Sequence, residues 1–201
     1  MDDINSSDSY KTISQPSTGI YKELGSKFLS FAYPVSSEEE IKVIITTLKK
    51  EYHDARHHCY AYRIGPEGDL WRANDDGEPS SSAGKPILGQ LLSYQLSDIL
   101  VVVVRYFGGT KLGVPGLIRA YKSATADSIE NANIVEKIAT RLVNFSYDYL
   151  QMNDVMKIIR DFSAELTEQE FDNICKISVR VRRGEYEKFC NTLEPLVINF
   201  D

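Results

Sequence analysis

Four valines in a row, Val101 to Val104, lie inside the segment DILVVVVRYF. A strand with one wet face alternates apolar and polar residues. This one does not, so both of its faces must be covered and the strand must be central in its sheet. Helical patterns on either side supply the cover. SSEEEIKVIITTLKKEYHDA opens with a serine cap and three glutamates and closes on lysines, with Ile41, Ile44, Ile45 and Leu48 on one face. That charge order suits a helix macrodipole. ILGQLLSYQL precedes the valine strand, and GLIRAYKSATADSIENAN follows it with Leu117, Ile118, Tyr121 and Ala124 turned inward. Tyr10 to Val35 alternates with Gly and Ser punctuation and reads as two or three antiparallel strands, while HHCYAYRIG and DLWRAN read as a hairpin. Residues 1–9 are polar and expected to fray.

After Asn133 the pattern restarts. KIATRLVNFSY reads as a strand, DYLQMNDVMKIIRDF as a helix, SAELTEQEF and NICKISVRVR as strands, GEYEKFCNTL as a helix and PLVINFD as a last strand. The order βαββαβ is the ferredoxin-like arrangement. The expected fold is therefore α+β in two domains, 10–133 and 137–201.

The formal charge is −6, so the chain as a whole is no polyanion binder. Cys59, Cys175 and Cys190 are too few and too scattered for a disulfide framework, which suggests reduced thiols in the cytoplasm. The first residues lack the basic and apolar regions of a signal peptide, and the longest apolar run, Ile99 to Val104, is too short to span a bilayer. No membrane partner is expected.

One stretch is a local exception to the acidic chain. RYFGGTKLGVPGLIRAYK carries Arg105, Lys111, Arg119 and Lys122 and no acid. A strand runs into glycines and then into a helix whose first turn suits Pro115. Gly108, Gly109 and Gly113 permit close approach by a phosphate, and amides at the helix start together with Lys111 make an anion site. Arg119 and Lys122 sit about one and two turns further along the helix. A second loop, NDDGEPSSSAGKPI, has a related form, with Asp76-Gly77 as a turn, Ser81 or Ser82 as a helix cap and Lys85 at the helix start. Strands 69–74 and 98–107 flank a helix and should run parallel, so both loops leave one end of the sheet. Asp75, Asp76 and Glu78 then lie within reach of Arg105 and Lys111. They would orient the basic side chains; no cofactor is expected, with Mg²⁺ on one or two of these carboxylates as the weaker alternative.

ARHHCYAYRIG, DDGEPSSSAGKPIL and VVVVRYFGGTKLGVPGLIRAYKSA closely resemble the IMPACT/YigZ family, over roughly residues 17–130. The remainder resembles the C-terminal domain of the family's bacterial members. Two departures are visible: Ser81-Ser82 stands where the family has Gly-Thr, and Val114-Pro115 where it has Ala-Gly. The resemblance implies a first domain similar to the second domain of a small-subunit ribosomal protein. It also implies a second domain similar to the ferredoxin-like end of elongation factor G. Eukaryotic relatives regulate translation. Taken with the charge of the loop itself, the expected role is a translation-associated regulator that binds RNA, the ribosome or a translation-factor partner through the basic loop. The alternative is an enzyme on a phosphorylated small molecule at the same two loops.

Other constellations are weaker. His53, His57, His58 and Cys59 invite a zinc reading, but His57 and His58 fall on opposite strand faces and no second cluster completes four ligands. Ser80 to Ser82 have no nucleophile elbow around them. Tyr60, Tyr62 and Trp71 could stack bases or simply pack. NICKISVRVR has no aromatic where RNA-recognition sheets stack bases.

Overall fold

The structure is a computed structural model and describes residues 8–200. The expectation of fraying at the start falls, through residue 7, outside the described residues. Two compact units are present, one spanning Tyr10–Lys137 and the other running from Ile138 onward with Asp8 and Ser9.

The larger unit contains β1 (Ser9–Ile13), β2 (Ser17–Glu23), β3 (Ser26–Pro34), α1 (Glu38–Glu51), β4 (His57–Ile64), β5 (Leu70–Asn74), α2 (Gly84–Ser93), β6 (Ile99–Tyr106), α3 (Gly113–Glu130) and β7 (Ile134–Ile138). Five strands form one sheet in the order β2-β3-β6-β4-β5, with every neighbouring pair antiparallel. The valine strand β6 is its middle member, and Val101 to Val104 are fully buried. Their side chains divide by parity. Val101 and Val103 join Ile87 and Leu91 of α2 and Leu117, Tyr121 and Ala124 of α3. Val102 and Val104 join Ile41 and Leu48 of α1. Burying each valine contributes roughly 1.5–3 kcal/mol, so the run fixes both layers at once.

Helix α1 starts where its sequence says it should. The Ser37 hydroxyl accepts from the Glu40 amide at 3.3 Å, and the Glu40 carboxylate accepts from the Ser36 amide at 2.7 Å. The strand Ser9–Ile13 departs from expectation: it pairs with β7 in a two-stranded sheet instead of with β2. The expected strand from Lys137 to Tyr147 is broken at Ala139, between β7 and β8.

The smaller unit contains β8 (Thr140–Asp148), α4 (Met152–Asp161), β9 (Glu165–Glu170), β10 (Ile174–Arg182), α5 (Tyr186–Leu193) and β11 (Val197–Phe200). Its sheet order, β11-β8-β10-β9, is antiparallel throughout and is the ferredoxin-like order. Strand β10 shows the period of two: Cys175, Ile177, Val179 and Val181 are buried in the core, while Lys176 and Arg180 are exposed. No helix among the described residues is long and apolar enough to cross a membrane.

Candidate functional site

Strands β5 and β6 are each antiparallel to β4, which lies between them, so they run in the same direction. The loop after β5 and the loop after β6 therefore leave the same end of the sheet. There they border a cleft of about 460 Å³ that also takes in the start of α3.

The floor of the cleft is set by strand register. Arg105 of β6 is paired with Phe28 of β3 on one side and with His57 of β4 on the other. Register partners point to the same face, so these three side chains form a row. The Arg105 guanidinium is almost wholly buried. Its Nη1 donates to Glu78 Oε1 at 2.5 Å, and Tyr121 Oη donates to the same oxygen at 2.9 Å. Both of the Glu78 carboxylate's hydrogen bonds thus fall on Oε1. Arg105 Nε is buried with no hydrogen-bond partner among the described residues. Cys59 Sγ closes the network, 3.3 Å from Tyr121 Oη and 2.9 Å from the Asp75 carbonyl. Burial pushes both the Tyr121 hydroxyl and the Cys59 thiol far above their ordinary pKa values, with the neighbouring acids adding to the rise. Cys59 is accordingly a protonated structural thiol and no nucleophile.

The rim is different in kind. Lys111 and Arg56 line the cleft and are exposed. Among the described residues no carboxylate lies within ion-pair distance of Lys111. Phe107 is 51% exposed at the cleft edge, with the Arg105 guanidinium 5.7 Å from its ring centroid. Helix α3 begins at Gly113 behind Leu112, and no side chain caps it. Its first amides lack intrahelical acceptors and carry the positive end of the macrodipole. Gly109 has φ +89° and open space around it, so a ligand can approach its backbone.

Several expected site residues are engaged elsewhere. Arg119 reaches Glu23 of β2 at 2.5 Å, because the β2–β3 hairpin lies beside α3. The Gly108 amide donates to Ser26 Oγ at 3.1 Å and is not an open donor. Lys122 and Lys85 are exposed and do not line the cleft. Asp75 is the cap of α2: its carboxylate accepts from the amides of Ser81 (2.8 Å), Ala83 (3.0 Å) and Gly84 (2.8 Å). Neither serine caps that helix. Ser82 Oγ donates to the Pro79 carbonyl at 2.6 Å, and Ser81 takes a φ of +62°. Asp76 turns the opposite way, to Lys49 Nζ (2.9 Å) and the His58 amide (2.7 Å), while its carbonyl meets His57 Nδ1 at 2.9 Å. Of the three acids only Glu78 reaches Arg105, and none pairs with Lys111. The cleft thus draws on Arg105, Lys111, Gly113 and Glu78 from the expected set, and adds Arg56, His57 and Phe107. Phe107 stood in the quoted motif, and its place next to the first glycine was the available signal.

The sequence matches the Impact N-terminal domain over residues 24–129. IMPACT family member YvyE of Bacillus subtilis is 35% identical over 171 residues, 85% of this chain and 79% of the relative. A protein IMPACT homolog of Saccharomyces cerevisiae is 31% identical over 126 residues, 60% of this chain and 46% of its own. Among solved structures, one described as a hypothetical protein superposes with a TM-score of 0.72 at 26% identity, covering 93% of this chain and 92% of that one. With the domain model spanning more than half of its residues and a bacterial relative aligned along most of its length, this chain belongs to the IMPACT family.

Proposed function

We propose that this protein is a cytoplasmic, translation-associated regulator that engages RNA through the cleft at the start of α3. The carrying observation is Lys111, which has no ion-pair partner among the described residues, beside the uncapped first turn of an 18-residue helix. A phosphate would take the α3 amides and the Lys111 ammonium, with Arg56 adding charge from the opposite rim. Phe107 would stack a base at the cleft edge. Membership of the IMPACT family supports the regulatory part of the reading, since the sequence resemblance carries with it a role in translation for the eukaryotic members.

The test is RNA affinity by fluorescence anisotropy across a salt series. The expected result is a steep loss with salt, and for Lys111→Ala a weaker affinity with a slope reduced by about one. An unchanged affinity in that variant removes the loop from the reading.

A second reading, an enzyme on a phosphorylated small molecule, is favoured by one feature: the site is concave and holds Glu78 and His57 at its floor. It predicts chemical turnover of a phosphorylated metabolite that Glu78→Gln abolishes; binding without turnover leaves the first reading.

A further inference from the structure

At one end of the ferredoxin-like sheet four large apolar side chains stand in water. Leu150 is 86% exposed, and Tyr149, Phe171 and Ile174 are each more than half exposed. They belong to two turns: the single 3₁₀ turn Tyr149–Gln151 after β8, and the connection from Phe171 into the start of β10. The Tyr149 amide donates to the Asn173 carbonyl at 3.3 Å, so the turns lie side by side. Tyr149, Leu150 and Phe171 border one concavity of about 590 Å³. Both turns are pinned. The Asp148 carboxylate accepts from the Leu150 amide at 2.9 Å, and the Asp172 carboxylate from the Asn173 amide at 2.7 Å. The backbone that displays the apolar side chains is thus already in place, which lowers the cost of binding. The charge around them has one sign. Segments 148–154 and 170–175 carry Asp148, Asp154, Glu170 and Asp172 and no Lys or Arg. None of these carboxylates has an ion-pair partner among the described residues.

An exposed apolar patch with a polar rim marks a docking surface, and the sign of the rim selects the occupant. RNA and anionic lipid would both bring negative charge to the carboxylates. A second copy in a two-fold contact would set the same acids against themselves. We propose that this end of the smaller unit docks a basic amphipathic segment of another protein. Its apolar side chains seat among Tyr149, Leu150 and Phe171, and its lysines or arginines face Asp148, Asp172 and their acidic neighbours. The proposal does not rest on the RNA-binding reading: it uses other elements, the opposite charge and another class of partner.

The probe is a labelled peptide of repeated Lys-Leu-Leu-Lys units, titrated with the full chain by fluorescence anisotropy. Two control peptides replace Leu by Ser and Lys by Glu. The parent peptide is expected to bind at least about tenfold tighter than either control, because both the apolar anchors and the charge contribute. The pair Leu150→Ser and Phe171→Ser, checked for folding by circular dichroism, is expected to lose at least about tenfold in affinity. If that pair fails to fold, Leu150→Ser alone, at the most exposed position, carries the test. Asp148→Asn with Asp172→Asn keeps an acceptor in each turn and should weaken binding and flatten its salt dependence. Lys111→Ala should leave the peptide affinity unchanged, which separates this surface from the RNA cleft. Affinity unchanged by the serine substitutions overturns the proposal, as does a serine control that binds as tightly as the leucine peptide, or no binding of the probe. Binding of phosphatidylserine vesicles or of oligouridylate that the serine substitutions abolish assigns the patch to lipid or RNA and overturns it too. So does a dimer, seen by sedimentation velocity, that those substitutions dissociate.

Discussion

Glu78 and Arg105 stand 27 residues apart in the chain and meet at 2.5 Å, with side chains 3% and 8% exposed. Two charges removed from water are held by each other and by the Tyr121 hydroxyl. Breaking one side strands the other. Glu78→Ala is expected to cost about 3–5 kcal/mol in urea denaturation, whereas the double replacement Glu78→Leu with Arg105→Met should lie much closer to the parent. Equal losses for the single and double variants would show that the ion pair is not what the site depends on.

Asp75 holds three amides at the start of α2. Asp75→Ala should therefore destabilise the protein by about 1–2 kcal/mol, while Ser82→Ala, which loses only a contact to the Pro79 carbonyl, should cost less. Thermal unfolding of the two variants side by side gives the order; the reverse order would restore the serines as the cap.

His58 lies on the strand face opposite His57 and is buried, with Nε2 unpartnered. Burial lowers its pKa from the ordinary 6.5, outweighing the nearby Asp76 carboxylate, which raises it. The unfolded chain thus binds a proton more readily than the folded one. This contribution to stability is complete above about pH 6.5 and is lost as pH falls from there through the folded value. His58→Gln should flatten the stability profile between pH 7 and 5. A parent profile already flat over that range would contradict the assignment.

Gly108 and Gly109 are adjacent and differ in what a side chain would meet. At Gly108 a Cβ would stand 1.9 Å from the Gly25 backbone; at Gly109 nothing lies within 4 Å, although φ is +89°. Gly108→Ala is expected at the upper end of the about 1–3 kcal/mol of overpacking, because both walls are backbone. Gly109→Ala should cost only about 1 kcal/mol of left-handed strain. Chemical denaturation separates them, and a tolerated Gly108→Ala would mean the hairpin turn yields.

Much of the architecture was legible in the sequence. The valine run announced a central strand covered on both faces, and the β5–α2–β6 order announced two loops at one rim. The ferredoxin-like unit could be read because its strands alternate cleanly, as β10 shows. The pairings within the rim could not be read. Asp75, Asp76 and Glu78 occupy one turn and point three ways, to the α2 amides, to Lys49 and to Arg105. Which way each points is decided by a left-handed residue at Asp76 and by partners on α1 and β6 that only tertiary structure supplies. Arg119 looked open for the same reason, since Glu23 lies 96 residues away in sequence. The β1–β7 pairing escaped because alternation identifies a strand and is silent about its neighbour.

The tight seat of Gly108 against the hairpin turn also sets the mechanical range of the basic loop. With the chain clamped at Gly108 and Leu112 packed against the core at the start of α3, only Gly109 to Lys111 lies between. So short a span leaves little slack for a lid. Reach at this rim then comes from the Lys111 side chain and not from the backbone that carries it.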